Sequence, residues 1–398
     1  MPSTKELYTD AKRLIPGGSN LFSKRGELHA PDQWPQYYKS AKGCEIIGMD
    51  DHSYLDFSGA GVGACILGYA DPDVDTAVIK TIHSGSTSAL LGQEEVELAR
   101  MLTHLHPWAQ QVRFARSGGE AIAVAIRIAQ AKTRRVGIDW DRESYHGWQV
   151  NNPITKDSHF PWDLSDLSKL QCGAIIVEPR RLEEHPELLQ HYRSLATEYG
   201  AVLIFDEISS GFRFNLGGSH LQYKVNPDVA VFSKAISNGY PMAAVIGTEE
   251  VMSACNDTFI SSTTWSERIG PTAAIATIEK LWANDVFEYT KYIGELVKGT
   301  IEWEAKQSGL DVKVIGPPQM LHFQFANPEV QTLYTQMMLD RGFLAGRDFY
   351  PSYAHKIDHC ERFAHTVREV FPIIQDAVEH NSVSKMLRGP VAESGIKR

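Results

Sequence analysis

Three apolar runs, Cys172–Val177, Ala201–Phe205 and Val229–Phe232, carry no polar side chain on either face except the thiol of Cys172. A half-exposed strand would alternate, so runs of this kind suit strands covered on both sides, as in a parallel sheet sandwiched by helices. Helical periods recur around them at Glu94–Leu105, Gly119–Lys132 and Leu188–Tyr199. The alternation from Glu94 to about residue 275 therefore predicts an α/β domain around a mostly parallel central sheet. After a long helix from about Pro271 to Trp282 the pattern changes: Tyr289–Gln307 and Asn327–Arg341 read as helices flanking Val312–Ile315 and Leu321–Phe325, the latter alternating. The expected organisation is an arm at 1–50 that joins a small α+β domain at 283–398, with a large domain at 51–282. Two short strands, at 43–47 and 53–57, turn at Asp50-Asp51, and the polar end Ser384–Arg398 reads as frayed.

With 43% hydrophobic and 22% charged residues the chain has ordinary globular composition, and its net charge of −10 argues against bulk binding to nucleic acid or anionic membrane. No apolar run approaches a membrane span, and Met1-Pro2-Ser3-Thr4-Lys5-Glu6 does not open a signal peptide, so cytoplasmic residence is expected. The five cysteines (Cys44, Cys65, Cys172, Cys255, Cys360) are scattered without a CxxC pair, which fits free thiols better than a disulfide or zinc framework. The fifteen histidines contain no HExxH pattern, so no metal site is expected.

Two of the buried runs end in reactive groups: one leads into Asp206-Glu207, the other into Ser233-Lys234. Ligands of open α/β sheets collect at the carboxyl ends of strands, and a carboxylate buried there is costly without a cationic partner. Phe114-Ala115 turns into a helix through Arg116-Ser117-Gly118-Gly119-Glu120. Gly118 and Gly119 let backbone N–H groups approach an anion at the positive end of that helix. Tyr145-His146-Gly147-Trp148 follows a strand-like stretch at 135–139 and offers an aromatic platform. Each piece alone has a plainer reading: a surface lysine, a structural ion pair, a tight turn, a core aromatic. Together they supply the contacts that pyridoxal 5'-phosphate needs, namely an amine for an imine, an acid for the pyridinium proton and a helix start for the phosphate.

Several segments occur in series: Pro16-Gly17-Gly18-Ser19-Asn20, Ser117-Gly118-Gly119-Glu120-Ala121, Tyr145-His146-Gly147, Glu178-Pro179, Phe205–Arg213, Ser233-Lys234-Ala235 and Asn238-Gly239-Tyr240-Pro241. In this order they make the chain resemble the class III, fold-type I pyridoxal-phosphate-dependent aminotransferases, in the branch containing glutamate-1-semialdehyde aminomutase. The resemblance runs from about Ile15 to Trp282 and more weakly to about residue 380. It implies Lys234 as the Schiff-base lysine, Asp206 as partner of the ring nitrogen, and Tyr145 stacked on the ring with His146 beside it. Ser117, Gly118 and Gly119 would bind the phosphate, and Glu178 belongs to the implied cofactor-binding set. Thr263 or Thr264 would reach the phosphate of a neighbouring subunit, which implies a homodimer with shared active sites. The implied activity is amino transfer from a small-molecule donor to a carbonyl acceptor through a pyridoxamine phosphate intermediate. An intramolecular aminomutase uses the same residues and stays open as the alternative. A pyridoxal-phosphate-binding protein without catalysis is a third reading, which the presence of both Lys234 and Asp206 disfavours.

Three features depart from the family pattern. Arg116 and Gly119 stand where Asn and a hydroxyl residue are usual, with Arg116 a candidate electrostatic replacement at the phosphate. Lys24-Arg25 stands near the arginine that holds the substrate carboxylate in glutamate-1-semialdehyde enzymes, without the same bidentate geometry. The segment from Gly147 to Cys172 is short, which would open the site to a larger, sugar- or carrier-linked carbonyl compound unless other loops fill the gap. Trp34, Trp148 and Trp162 are either mouth-lining or packing anchors, Arg213 reads as structural, and His159 and Arg347 have no assigned role.

Overall fold

The computed structural model describes residues 3–140, 144–148, 172–182 and 185–393, the side chains of Arg181 and Leu182 excepted. The chain forms two compact units, one of Pro72–Asn284 and one of Met1–Asp71 with Asp285–Arg398.

The first unit is built on a six-stranded sheet in the order Gln111–Ala115, Ala243–Gly247, Val229–Phe232, Val202–Asp206, Cys172–Val177, Gly137–Trp140. The last four strands run parallel, whereas Ala243–Gly247 is antiparallel to both its neighbours. That reversal has a local cause. The connection Ser233–Met242 is shorter than the dozen or so residues a parallel crossover needs, so the chain must come straight back. The three apolar runs are buried throughout. One cover is the helix Gly118–Thr133, whose Ile122, Ala125, Ile126 and Ala129 pack on Ile176, Ile204, Val231 and Val245. Each isoleucine or valine so buried contributes about 1.5–3 kcal/mol relative to exposure. The helix Ile269–Ala283 carries Pro271 in its first turn, where a missing N–H costs no intrahelical bond.

In the second unit Ser53–Phe57 pairs antiparallel with Glu45–Gly48, which pairs in turn with Tyr38–Lys42, and parallel with Phe343–Ala345. Tyr38–Lys42 was not expected as a strand: its residues are mostly exposed and polar, so no apolar alternation announces it. A second sheet joins Val312–Ile315, Leu321–Phe325 and Asp348–Phe349. The helices Val286–Ser308, Pro328–Leu339 and Ile357–Glu379 bury their apolar faces in a core centred on Phe57. That ring stacks on Phe363 at 4.5 Å and on Phe349 at 5.1 Å. The expected fraying from Ser384 does not hold up to Glu393. Val383–Met386 is helical, Arg388 pairs with Asp340 at 2.6 Å, and the Glu393 N–H bonds to the Glu27 carbonyl. Polar composition suggested a loose end because these anchors are long-range. Among the described residues no helix is long and apolar enough to cross a membrane.

Candidate active site

Strand register in the unit Pro72–Asn284 decides which residues share an edge. Val177 lies opposite Phe205, Asp206 opposite Val231, Phe232 opposite Ala244, and Ala115 opposite Ala243. Four strands therefore end together, and Glu178, Asp206, Lys234 and the helix start at Gly118 leave the sheet at one edge.

Asp206 is the last residue of its strand and is buried. Its Oδ2 receives the Nδ1–H of the fully buried His146 at 2.7 Å, and its Oδ1 receives the Ile208 N–H at 3.0 Å. The carboxylate is thereby aimed, not free to rotate. Lys234 opens a short 3₁₀ turn in the left-handed region, at φ 51°. This conformation is uncommon for a residue with a side chain, and such strain gathers at functional sites. Its Nζ donates to Ser209 Oγ at 2.7 Å. Burial holds the Lys234 amine below its ordinary range, Arg213 and Arg180 push the same way, and Asp206 and Glu178 oppose them. The neutral amine is thus more accessible here than on an exposed lysine.

The helix Gly118–Thr133 begins with a capping box. Ser117 Oγ accepts the Glu120 N–H at 3.4 Å, while Glu120 Oε2 accepts the N–H groups of Arg116 and Ser117 at 3.1 and 3.0 Å. The N–H groups of Gly118 and Gly119 then have no acceptor within the helix, which leaves two donors at its positive end. Gly118 sits hard against the loop after Asp206: a Cβ there would lie 2.8 Å from Ile208 Cδ1. The helix start and the Asp206 loop are therefore in contact.

Arg116 does not serve that helix start. It pairs with Glu267 at 2.6 Å and donates to the carbonyls of Trp265 and Glu267 at 2.7 and 2.8 Å. Glu267 in turn receives the N–H groups of Ile269 and Gly270, so the pair ties two helix starts together. The expected replacement role is corrected accordingly: the guanidinium is held by the Glu267 carboxylate and by the carbonyls of Ala115, Trp265 and Glu267. That segment holds Thr263 and Thr264, both exposed on a 3₁₀ turn beside the anchored Trp265. Tyr145 is 64% exposed although its neighbour His146 is inside. Arg213 is fully buried, and Glu178 is half-buried directly after its strand. Residues 149–171, with Trp162, His159 and most of the short segment after Gly147, lie outside the described residues.

Sequence reasoning missed three participants. Ser209 was only part of a matched segment, and nothing local marks it as a partner of Lys234. Glu207 is fully buried and accepts from Ser210, Ser219 and both the backbone and the ring of His220. Glu120 is the third, and the Ser-x-x-Glu pattern at 117–120 is the local signal for its capping role. In the other unit Lys24 and Arg347 line a cavity of about 310 Å³ with His29, Trp34, Tyr38 and Asp348. Neither cation is ion-paired among the described residues, whereas Asp348 is engaged by His322 at 2.9 Å. Arg25 is turned elsewhere, over the Phe22 ring at 5.0 Å.

A mostly parallel sheet with an amine, a buried acid and an open helix start along one edge could hold pyridoxal phosphate by its aldehyde, ring nitrogen and phosphate. This arrangement is that of a fold-type I transferase. Solved structures with the same fold include the pyridoxal-phosphate internal aldimine form of FumI from Sphingopyxis sp. MTA144, with TM-score 0.88, 24% identity, and coverage of 94% of this chain and 97% of that one. An omega-transaminase from Sphaerobacter thermophilus superposes with TM-score 0.81 at 24% identity, covering 94% and 98%. In sequence, a 3-aminobutyryl-CoA aminotransferase of Cloacimonas acidaminovorans is 31% identical over 85% of this chain and 89% of its own length. A glutamate-1-semialdehyde 2,1-aminomutase of Methanothermobacter thermautotrophicus is 27% identical over 92% and 98%. The profile of the family described as aminotransferase class-III matches residues 29–152 and 162–365. The chain belongs to the class III aminotransferases, and it is a pyridoxal-phosphate-dependent enzyme acting on small-molecule amino and carbonyl substrates.

Proposed function

We propose that Lys234 is the reacting amine of this aminotransferase and that Asp206, held by His146, is the partner of the cofactor ring. The observation that carries this reading is the placing of both groups at adjacent strand ends, with the carboxylate fixed at 2.7 Å by a buried imidazole. When bound, pyridoxal phosphate supplies an aldehyde that condenses with amines and a ring that takes up the electrons of the broken bond. The residues do the rest. Asp206 keeps a proton on the ring nitrogen, since a buried carboxylate favours a neighbouring cation. Gly118 and Gly119 receive the phosphate with their free N–H groups, with Ser117 shaping the turn. Nζ of Lys234 takes a proton from the substrate carbon and returns it elsewhere. Tyr145 and Glu178 border the ring. Thr263 or Thr264 serves the phosphate of a second copy, which makes the active form a homodimer. The unit Pro72–Asn284 is the cofactor-binding domain, and residence is cytoplasmic.

Within the other unit, Lys24 and Arg347 make the cavity they line a place for an anionic group, because two cations without an ion pair among the described residues favour an anion there. An aminomutase remains the second reading, favoured by the similarity to glutamate-1-semialdehyde aminomutases across nearly the whole chain. Two experiments test the proposal. Lys234→Ala removes amine-dependent spectral change and turnover if the reading is right; retained turnover refutes it. In a single-turnover assay without acceptor, a transferase releases its carbonyl product and stops, whereas a mutase continues.

A further inference from the structure

Among the described residues the Lys234 ammonium has one hydrogen-bond partner, and it is a hydroxyl, not a carboxylate: Ser209 Oγ at 2.7 Å. The loop that presents this hydroxyl is locked on every side. Its first residue, Asp206, caps the turn by accepting the Ile208 N–H, and the Glu207 N–H bonds to the Val231 carbonyl of the strand leading to Lys234. Ile208 packs against Gly118, so that side chain is committed to the helix start. Ser210 is fully buried and bonded to the Glu207 carboxylate. Gly211 has no room for a side chain, since a Cβ would lie 2.4 Å from the Phe232 ring. Of the residues 206–211, Ser209 is the one whose side chain hydrogen-bonds to the lysine, while Asp206 acts on it through charge alone.

A hydroxyl is suited to an amine that changes charge. It accepts from the ammonium form and, by rotating its own hydrogen, donates to the lone pair of the neutral form. A carboxylate in its place would favour the ammonium alone. We propose that Ser209 is a positioning residue for Lys234, keeping Nζ in one place in both of its charge states while it takes and gives a proton. This inference rests on Lys234 being the reacting amine. The bond to the charged form is the stronger of the two, so its loss lowers the pH at which the amine becomes neutral and loosens its position.

The test compares Ser209→Ala, Ser209→Cys and Ser209→Thr in the full-length enzyme. In cofactor-free protein, competitive acetylation of Lys234 followed by peptide mass spectrometry gives the pH midpoint of that amine. The midpoint is expected to fall by about half to one pH unit in the Ala and Cys variants and to return in the Thr variant. In holoenzyme, single-turnover reaction with an amino donor deuterated at the reacting carbon gives the proton-transfer step. Its rate is expected to fall about ten- to a hundredfold, with a larger isotope effect and unchanged donor KM. Matching melting temperatures identify the variants as folded, and the Cys variant preserves volume if Ala does not fold. An unchanged midpoint and isotope effect in Ser209→Ala or Ser209→Cys overturn the inference. A parallel Lys234→Ala enzyme separates the failures: if it still transfers protons, the assignment of the lysine is wrong, whereas an inert Lys234→Ala beside a normal Ser209→Ala overturns the role of the serine alone.

Discussion

Glu207→Gln is the most informative perturbation outside the reacting groups. The carboxylate is wholly buried in the unit Pro72–Asn284 and accepts four hydrogen bonds, from Ser210, from Ser219 at 2.8 Å, and from the N–H and Nδ1–H of His220 at 2.8 Å each. The tautomer of His220 follows from its other nitrogen, which receives the Trp108 indole N–H at 3.0 Å; an indole only donates, so the ring proton is on Nδ1. Burial pushes the Glu207 carboxyl up, but the bonds from His220 and Ser210 outweigh it and hold the group below its ordinary value of 4.5. Glutamine keeps the shape. Its amide must face the two serine hydroxyls, which can rotate to accept, because the His220 donors cannot. All four bonds then lose charge assistance, at about 0.5–1 kcal/mol each, for a total of about 2–4 kcal/mol. For a unit of this size that is a fall of about 5–15 °C in melting temperature. The pH dependence has a definite sign. A carboxyl depressed in the folded state contributes stability that is complete above its unfolded value and is lost as pH falls through the folded value. The parent should therefore lose stability in acid below about pH 4.5 more steeply than the variant. Scanning calorimetry across pH 3 to 7 checks both statements. A variant melting within about 2 °C of the parent at pH 7, with an equal acid slope, refutes the reasoning.

Three further outcomes are expected. Gly118→Ala, whose Cβ would stand 2.8 Å from Ile208 Cδ1, should weaken pyridoxal phosphate binding about tenfold in a fluorescence titration by displacing the helix-start donors; unchanged affinity would detach this glycine from the phosphate. Asp139 is buried, and that burial raises its carboxyl from 3.8 to about 6. Stability from a raised carboxyl is present at low pH and lost as pH rises toward and past 6, so Asp139→Asn should stabilise the protein at pH 8 by up to about 3 kcal/mol and have little effect at pH 4 in urea unfolding. Replacing Lys24 and Arg347 together by Gln should weaken binding of an anionic ligand to the cavity they line about ten- to a hundredfold in a calorimetric titration, while a neutral ligand is unaffected.

Much of the sheet was legible because burial on both faces leaves a strong mark. Cys172–Val177 and Val229–Phe232 kept their expected bounds, and the second run shifted by a single residue to include Asp206. Tyr38–Lys42 left no such mark, since an exposed edge strand needs no apolar face. The glycines and the lysine could be found as types at strand ends. The partner of each group could not, because Ser209, Ile208 and His220 are brought to their contacts by turns whose geometry no short pattern encodes.

Arg116 shows the same division. Its charge beside the helix start suggested an anion contact, and only the folded chain reveals Glu267, 151 residues further on, as its partner. By itself the sequence determined the layered α/β architecture and the kinds of residue gathered at its edge, because periodic burial and residue chemistry are written locally. Tertiary structure decided which side chains neutralise one another and which stay available for a ligand, because hydrogen bonds and ion pairs are settled by distances between segments far apart in the chain.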